Sequence, residues 1–347
     1  TNDSRTRTSG RTSSGMAEVW QHGRCARMPV MSDRPGLRPD LAQVPHGRTA
    51  HRLSWPYLPA YLREVVEQRL GSSVVDAASR DAGFTPGFAS VLTGADGSRL
   101  FVKAASKQAQ ADVARAYLDE ARKLRAMPPG LPAAALRWVH DDADWVALGF
   151  DAVDGRPPLR PWHADELDRA LDLAEAIAAA TDPVPPGLRL RTVVEEVPPL
   201  VGAWDRVAAD WPHRREARAL ATAYASLPDR AFCHTDLRDD NVLLLDDGSA
   251  LACDWNWPAL GPVWQDTVDL LVSAYGDGMD VEPVLAERAL TRDVDPEHVD
   301  MWLAALCGFM VASSSRPAPL NSPHLRTHSI WYAEALWGWL CDRRGWG

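Results

Sequence analysis

The sequence predicts an α+β fold of two lobes: a small antiparallel sheet carrying one helix, then a larger, mainly helical lobe. Three observations predict it. Two apolar strand patterns, Phe88–Thr93 and Arg99–Ala104, flank Gly94-Ala95-Asp96-Gly97, whose Asp-Gly step permits a tight reversal. From Lys107 to Met127, the residues Val113, Tyr117, Ala121 and Leu124 recur at helical spacing, and Glu120 falls on that same apolar face. After Asp154-Gly155-Arg156-Pro157-Pro158, which reads as a linker, helical patterns dominate.

The elements follow in order. Residues 1–50 are rich in Ser, Thr, Arg, Gly and Pro without periodicity, and read as a disordered extension. The chain begins with Thr and meets Met16, Met28 and Met31 later, so this stretch is expected to be a tag or sequence upstream of the true start. Its Arg- and Ser-rich character makes a transit peptide the alternative. Residues 51–153 form the first lobe: a helix over Leu58–Leu70, a strand over Ser73–Ala78, a loop over Asp81–Gly87, the hairpin, the Lys107–Met127 helix, and strands at Ala135–His140 and Trp145–Phe150. Residues 154–347 form the second lobe. Helices are expected at 164–180, 192–208 and 213–226, and short strands at 230–234, 241–245 and 250–254. Further helices are expected to run to the end, broken by a loop over Ser313–Pro319.

Composition narrows the function. The net charge is -10, which argues against a nucleic-acid partner. An acidic body attracts cationic small molecules, or serves only as a solubilising surface. No apolar run is long enough to span a membrane as a helix. The five cysteines, Cys25, Cys233, Cys253, Cys307 and Cys341, show neither a zinc spacing nor a disulfide framework, and a reducing cytoplasm is the expected setting. Cys233 and Cys253 read as small core residues.

The chemistry concentrates in Phe232-Cys233-His234-Thr235-Asp236-Leu237-Arg238-Asp239-Asp240-Asn241 and in Ala252-Cys253-Asp254-Trp255. Asp236 and Asn241 are five residues apart, and a strand, an Asp247-Gly248 turn and a second strand separate Asn241 from Asp254. Such a hairpin can bring Asn241 and Asp254 to one end of the sheet, close enough to share a metal. Mg²⁺ prefers a few hard oxygen ligands together with phosphate oxygens, and phosphoryl transfer needs mainly positioning and charge neutralisation. Upstream, Lys103 lies in an apolar strand. A buried ammonium needs an anionic partner, and Glu120 can supply it; a snorkelling Lys and a solvated Glu are the plainer reading. Only Lys103, Lys107 and Lys123 are lysines among 37 basic residues.

This constellation resembles the aminoglycoside phosphotransferase family, within the protein-kinase-like fold, over roughly residues 70–340. The resemblance implies Asp236 as catalytic base, Asn241 and Asp254 as Mg²⁺ ligands, and Lys103, paired with Glu120, on the phosphates of ATP, with GTP not excluded. Asp266 and Asp269-Leu270 match a further acidic pair of the family, and the resemblance implies that His234 braces the loop and that Asp269 hydrogen-bonds the catalytic-loop backbone rather than performing chemistry. The segment from Gly83 to Ser90, with Gly83 and Gly87, is expected to cover the phosphates, although it lacks the glycine spacing of protein kinases. Only 11 residues separate Asp254 from Asp266, too few for a peptide-docking segment, which favours a small hydroxylated acceptor, an antibiotic among the candidates. A nucleotide-binding pseudoenzyme and a protein kinase are the rival readings. Arg238 is read either as a contact to the γ-phosphate or as an exposed loop arginine. Asp239 and Asp240 are read as solvated, with a cationic substrate as the alternative. Trp302, Trp331, Trp337 and Trp339 are read as helix packing, with an aromatic acceptor pocket as the alternative.

Overall fold

A computed structural model describes residues 52–80, 83, 85–228 and 230–346. The expected disordered extension over residues 1–50, Cys25, and the loop residues 81, 82 and 84 lie outside the described residues.

The first lobe is built on five antiparallel strands: β1 (Val74–Ser79), β2 (Phe88–Gly94), β3 (Arg99–Ser106), β4 (Leu136–Asp141) and β5 (Trp145–Asp151), in the order β1-β2-β3-β5-β4. Two helices cover its two faces, α1 (Ala60–Leu70) and α2 (Ala111–Ala126). Strand alternation decides which residue meets which helix. On β3, Val102 and Ala104 join Leu62 and Val66 of α1 in one core, while Phe101 and Ala105 join Tyr117 and Ala121 of α2 in the other. Lys103, between Val102 and Ala104, therefore faces α2. Its strand neighbours are Ala89 on β2 and Leu148 on β5. The predicted strands and helices of this lobe are present, with ends shifted by a few residues.

The second lobe is mainly helical. A two-residue strand, β6 (Gly155–Arg156), leads into α3 (Ala164–Ala180). The sequence reading took β6 for a linker. It pairs with Leu244 and Leu245 and is too short to show periodicity. The single helix predicted over 192–208 is instead α4 (Val193–Glu196), α5 (Pro199–Gly202) and a 3₁₀ turn, Ala203–Arg206. Pro198 and Pro199 end the first piece, because proline cannot donate to the preceding turn. Thr192 and Glu195 form a capping box at the start of α4. Then come α6 (Arg214–Tyr224), β7 (Ala231–Cys233), β8 (Val242–Leu245), β9 (Ala250–Ala252) and β10 (Ala259–Gly261). The last helices are α7 (Gln265–Asp277), α8 (Glu282–Glu287), α9 (Pro296–Ser314) and α10 (Leu325–Arg344). The loop expected over Ser313–Pro319 begins only after Ser314. β10 escaped the sequence reading; it pairs with β7, Leu260 opposite Phe232.

One continuous apolar core joins α3, α6, α7, α9 and α10. Trp302, Trp331 and Trp339 are buried in it, and Trp204 is sealed between α9 and α10 with its indole N–H on the Ala304 carbonyl at 2.8 Å. These tryptophans pack helices, as the sequence reading favoured. No described helix is long and apolar enough to cross a membrane.

Gly149 on β5 sits opposite Trp138 on β4, whose buried indole occupies the space a Cβ would take. Gly149→Ala should destabilise the protein by about 1–3 kcal/mol through overpacking, read as a lower urea midpoint with an unchanged slope.

Candidate active site

Three chain segments converge where the two lobes meet. From the sheet, β3 brings Lys103; from α2 comes Glu120; from the turn after β9 comes Asp254. The Lys103 ammonium lies 2.9 and 3.0 Å from the two Glu120 oxygens and also touches Asp254 Oδ1. The plainer reading, an exposed pair, does not hold: Lys103 is 6% exposed and Glu120 1%. Burial pushes the Lys103 pKa down, but Asp254 and Glu120 overcome this and hold it above the ordinary value. Burial likewise pushes Asp254 up, and Lys103 overcomes it, so that Asp254 titrates below the ordinary value. Glu120 is moved the other way, raised by burial against the pull of Lys103.

The same helix grips the Asp254 segment twice more. Glu120 Oε1 accepts the Trp255 backbone N–H at 3.2 Å, and Lys123, one turn along α2, donates to the Asn256 carbonyl at 2.7 Å. Lys123 was missed as a site residue. The scarcity of lysine in this chain was the available signal.

The motif loop is braced from two directions. His234 Nε2 lies 2.9 Å from the Cys253 carbonyl, so it carries the proton there, and Nδ1 faces the Asp236 N–H at 3.4 Å. Burial holds the His234 pKa down to about 4. Asp266, in the first turn of α7, accepts the N–H groups of His234 and Thr235 at 2.7 and 2.8 Å. This corrects the expectation for Asp269, whose carboxylate instead accepts the Trp302 indole N–H at 2.7 Å. The reason is position along the helix axis: Asp269 lies nearly one turn further along α7, where it meets Trp302 of α9. Thr235 has φ 63° and Asp254 φ 57°, left-handed values that a β-branched residue rarely adopts. Thr235 is held there by Asp266 and by its hydroxyl on the Trp257 carbonyl at 2.7 Å. β9 ends at Ala252 because Asp254 leaves the strand conformation.

Asp236 has both oxygens engaged. Asn241 Nδ2 is 3.0 Å from Oδ2, and Arg238 Nε is 3.2 Å from Oδ1. Burial raises its pKa and Arg238 opposes the rise. Arg238 is not an exposed loop arginine. Its other nitrogens reach Asp240 Oδ2 at 3.1 Å and His328 Nε2 at 2.8 Å. Asp239 and Asp240, expected to be solvated, are instead largely enclosed: Asp239 pairs with Arg160 at 2.8 Å and is 8% exposed. Sequence reading missed Arg160 and His328, since nothing local marks either.

Between the lobes lies a cavity of about 320 Å³, lined by Val91, Phe101, Lys103, Phe150, Leu243 and Asp254, with Gly83 at its rim. Gly87 must be glycine: a Cβ there would meet the Tyr117 hydroxyl and lie 3.1 Å from the Ala104 carbonyl. Arg52 donates to the carbonyls of both Gly83 and Gly87, at 3.3 and 3.1 Å, and was also missed. A wider groove of about 1250 Å³ lies around α8 and the adjoining ends of α9 and α10, and holds none of the motif residues.

Asn241 and Asp254 present hard oxygens beside this cavity, brought together by the Cys253 N–H on the Asn241 carbonyl at 2.9 Å. The Asn241 nitrogen is committed to Asp236, which leaves the amide oxygen as its metal-facing end. No three His, Cys, Asp or Glu side chains cluster as a metal site among the described residues. A pair of protein oxygens completed by phosphate oxygens suits Mg²⁺.

A family model described as the phosphotransferase enzyme family (APH) matches residues 84–302. The chain belongs to that family, the aminoglycoside phosphotransferases. It is an ATP-dependent phosphotransferase with an alcohol group as acceptor. A search of curated proteins finds no significant match. Among solved structures, a thermostable mutant of the aminoglycoside phosphotransferase APH(4)-Ia, in a ternary complex with ADP and hygromycin B, is similar at 14% identity. The match covers 82% of this chain and 99% of that one, with a TM-score of 0.56. The spectinomycin phosphotransferase APH(9)-Ia, in complex with ADP and spectinomycin, is similar at 13% identity, covering 83% and 99%, with a TM-score of 0.57. The choline kinase LicA from Streptococcus pneumoniae is similar at 12% identity, covering 80% and 99%, with a TM-score of 0.56. At these identities the likeness establishes the protein-kinase-like fold of the phosphotransferase.

The low pKa of His234 has a definite sign in stability. The unfolded imidazole titrates near 6.5, so the unfolded state binds more protons between there and about 4. Its contribution is complete above pH 6.5 and is lost as pH falls through that window. From His234 alone, urea unfolding should show about 2 kcal/mol less stability at pH 5 than at pH 7.5, a difference that His234→Gln reduces.

Proposed function

We propose that this protein is a small-molecule kinase that transfers the γ-phosphate of ATP to a hydroxyl, with Asp236 as the general base. The observation that carries the reading is the convergence of Lys103, Glu120, Asn241 and Asp254 on one interlobe cavity, with Asp236 joined to Asn241 at 3.0 Å, although Lys103 and Asp254 lie 151 positions apart in the chain.

The cavity receives the nucleotide against Val91, Phe101, Phe150 and Leu243. Lys103, fixed by Glu120, neutralises the phosphates, beside Gly83 and Gly87, whose carbonyls Arg52 holds. Asn241 and Asp254 would hold Mg²⁺, which supplies charge neutralisation to the phosphates when bound. Asp236 accepts the hydrogen of the acceptor hydroxyl. The hydroxyl oxygen then bonds to the γ-phosphorus as the bridging P–O bond to the β-phosphate breaks, ADP departs, and the proton passes to Asp236. Burial favours that role by raising the carboxylate's proton affinity, and the contacts from Asn241 and Arg238 fix its plane.

The segment after Asp254 supports a small acceptor over a peptide. It turns at once into β10, pairs with β7 and enters α7, without an extended docking surface. The structurally similar proteins, which carry hygromycin B or spectinomycin or are named for choline, suggest the first acceptors to try: aminoglycosides, other hydroxylated antibiotics and amino alcohols.

Asp236→Asn should lower turnover by about 10²–10⁴-fold while nucleotide affinity stays close to wild type. ADP release across an acceptor panel, with nucleotide titration in parallel, reads both; full turnover by this variant would sink the assignment. Lys103→Met should instead weaken nucleotide binding at least about tenfold, because it leaves the buried Glu120 and the half-buried Asp254 without their cation, facing the phosphates.

A further inference from the structure

The acidic residues of the motif loop are held by two arginines, and one helix holds both. Arg238 takes Asp236 and Asp240, while Arg160, from the segment before α3, takes Asp239 and Asp277. On α10, His328, Trp331 and Tyr332 stand at i, i+3 and i+4 and so share a face. His328 Nε2 lies 2.8 Å from Arg238 Nη1, and the Arg160 guanidinium carbon lies 5.0 Å from the Trp331 ring. Tyr332 packs on the His328 ring, centroids 4.6 Å apart.

A guanidinium only donates hydrogen bonds. The nitrogen that meets it must be a bare acceptor, so His328 is neutral with its proton on Nδ1. This contact occupies the third nitrogen of Arg238; the other two are on Asp236 and Asp240. With Nε ion-paired to Asp236 and both Nη groups in contact with His328 and Asp240, the guanidinium cannot swing away from Asp236 without losing a hydrogen bond to one of those two. Asp239, Arg238, Arg160 and Asp240 are the charged groups that act most on Tyr332, and Arg238 also meets His328.

We propose that His328 is a positioning residue for phosphoryl transfer: its neutral imidazole, presented by α10, holds Arg238 against Asp236 and so sets the orientation of the base. The inference rests on the reading of Asp236 as that base. It also links turnover to α10, whose C-terminal half is anchored far from the chemistry, where Arg343 meets Glu282 and Asp300.

Two measurements on the full chain test it. Side-chain ¹⁵N NMR of His328 should show a neutral ring protonated on Nδ1 at pH 7.5. An Nε2–H tautomer or an imidazolium there overturns the proposal, because neither accepts from Arg238. Hydrolysis of MgATP, with water as acceptor, is then followed by ADP release in wild type, His328→Ala and His328→Gln, with Asp236→Asn as the control. His328→Ala should lower kcat roughly tenfold with KM for MgATP moved less than about twofold, and His328→Gln, which keeps an acceptor oxygen, should stay within about threefold of wild type. Wild-type turnover by His328→Ala, or no recovery in His328→Gln, overturns the positioning role. Full turnover by Asp236→Asn would show instead that the assignment of the base had failed.

Discussion

The buried Lys103 ammonium ties the two lobes together. Lys103 sits in the sheet lobe, and its two carboxylate partners come from opposite sides of the cleft: Glu120 from α2 in the same lobe, Asp254 from the turn after β9 in the other. Burying Lys103 and Glu120 is costly unless each finds its partner, and removing one partner of a buried pair typically costs about 3–5 kcal/mol. The arrangement therefore fixes geometry more than it adds stability. It sets the position of α2 against the sheet, of the Asp254 turn against α2, and hence of the cavity between them. The extra grips from Glu120 to Trp255 and from Lys123 to Asn256 serve the same end.

The second lobe holds its charges by a different device. Its motif loop carries Asp236, Asp239 and Asp240 in close succession, and like charges this near repel unless compensated. Arg160 and Arg238 supply the compensation, and α10 supplies the support for the arginines. Backbone strain is concentrated at the same place. Thr235 and Asp254 both adopt left-handed φ values beside the reacting groups, and the contacts of Asp266 and Trp257 to Thr235 over-determine the strained turn. The site is thus pre-organised by packing and hydrogen bonding from helices that hold no reacting group themselves.

Much of this was legible before the structure. Strand alternation and the Asp-Gly turn specify the β2–β3 hairpin, and the helical repeat that places Glu120 on the apolar face of α2 also aims it at Lys103. The breaks in the predicted 192–208 helix follow from Pro198 and Pro199, a local signal that the periodicity overrode. Strands of two or three residues, β6 and β10, were not legible, because they are too short to carry a period and exist only through their partners.

The sequence by itself determined the residues of the proposed machinery: which residue types stand at which spacings, from Lys103 and Glu120 through Asp236, Asn241 and Asp254. These are set by local periodicity and by a hairpin that folds on itself, and such short-range geometry is encoded in neighbouring residues. Only the tertiary structure decided how that machinery is held. It made Asp266 rather than Asp269 the brace of the loop, buried Asp239 and Asp240 against arginines, and brought His328 to Arg238 across 90 positions of chain. Those outcomes depend on how far along each helix a residue stands and on the packing of α7, α9 and α10 into one core, which no local stretch of sequence specifies.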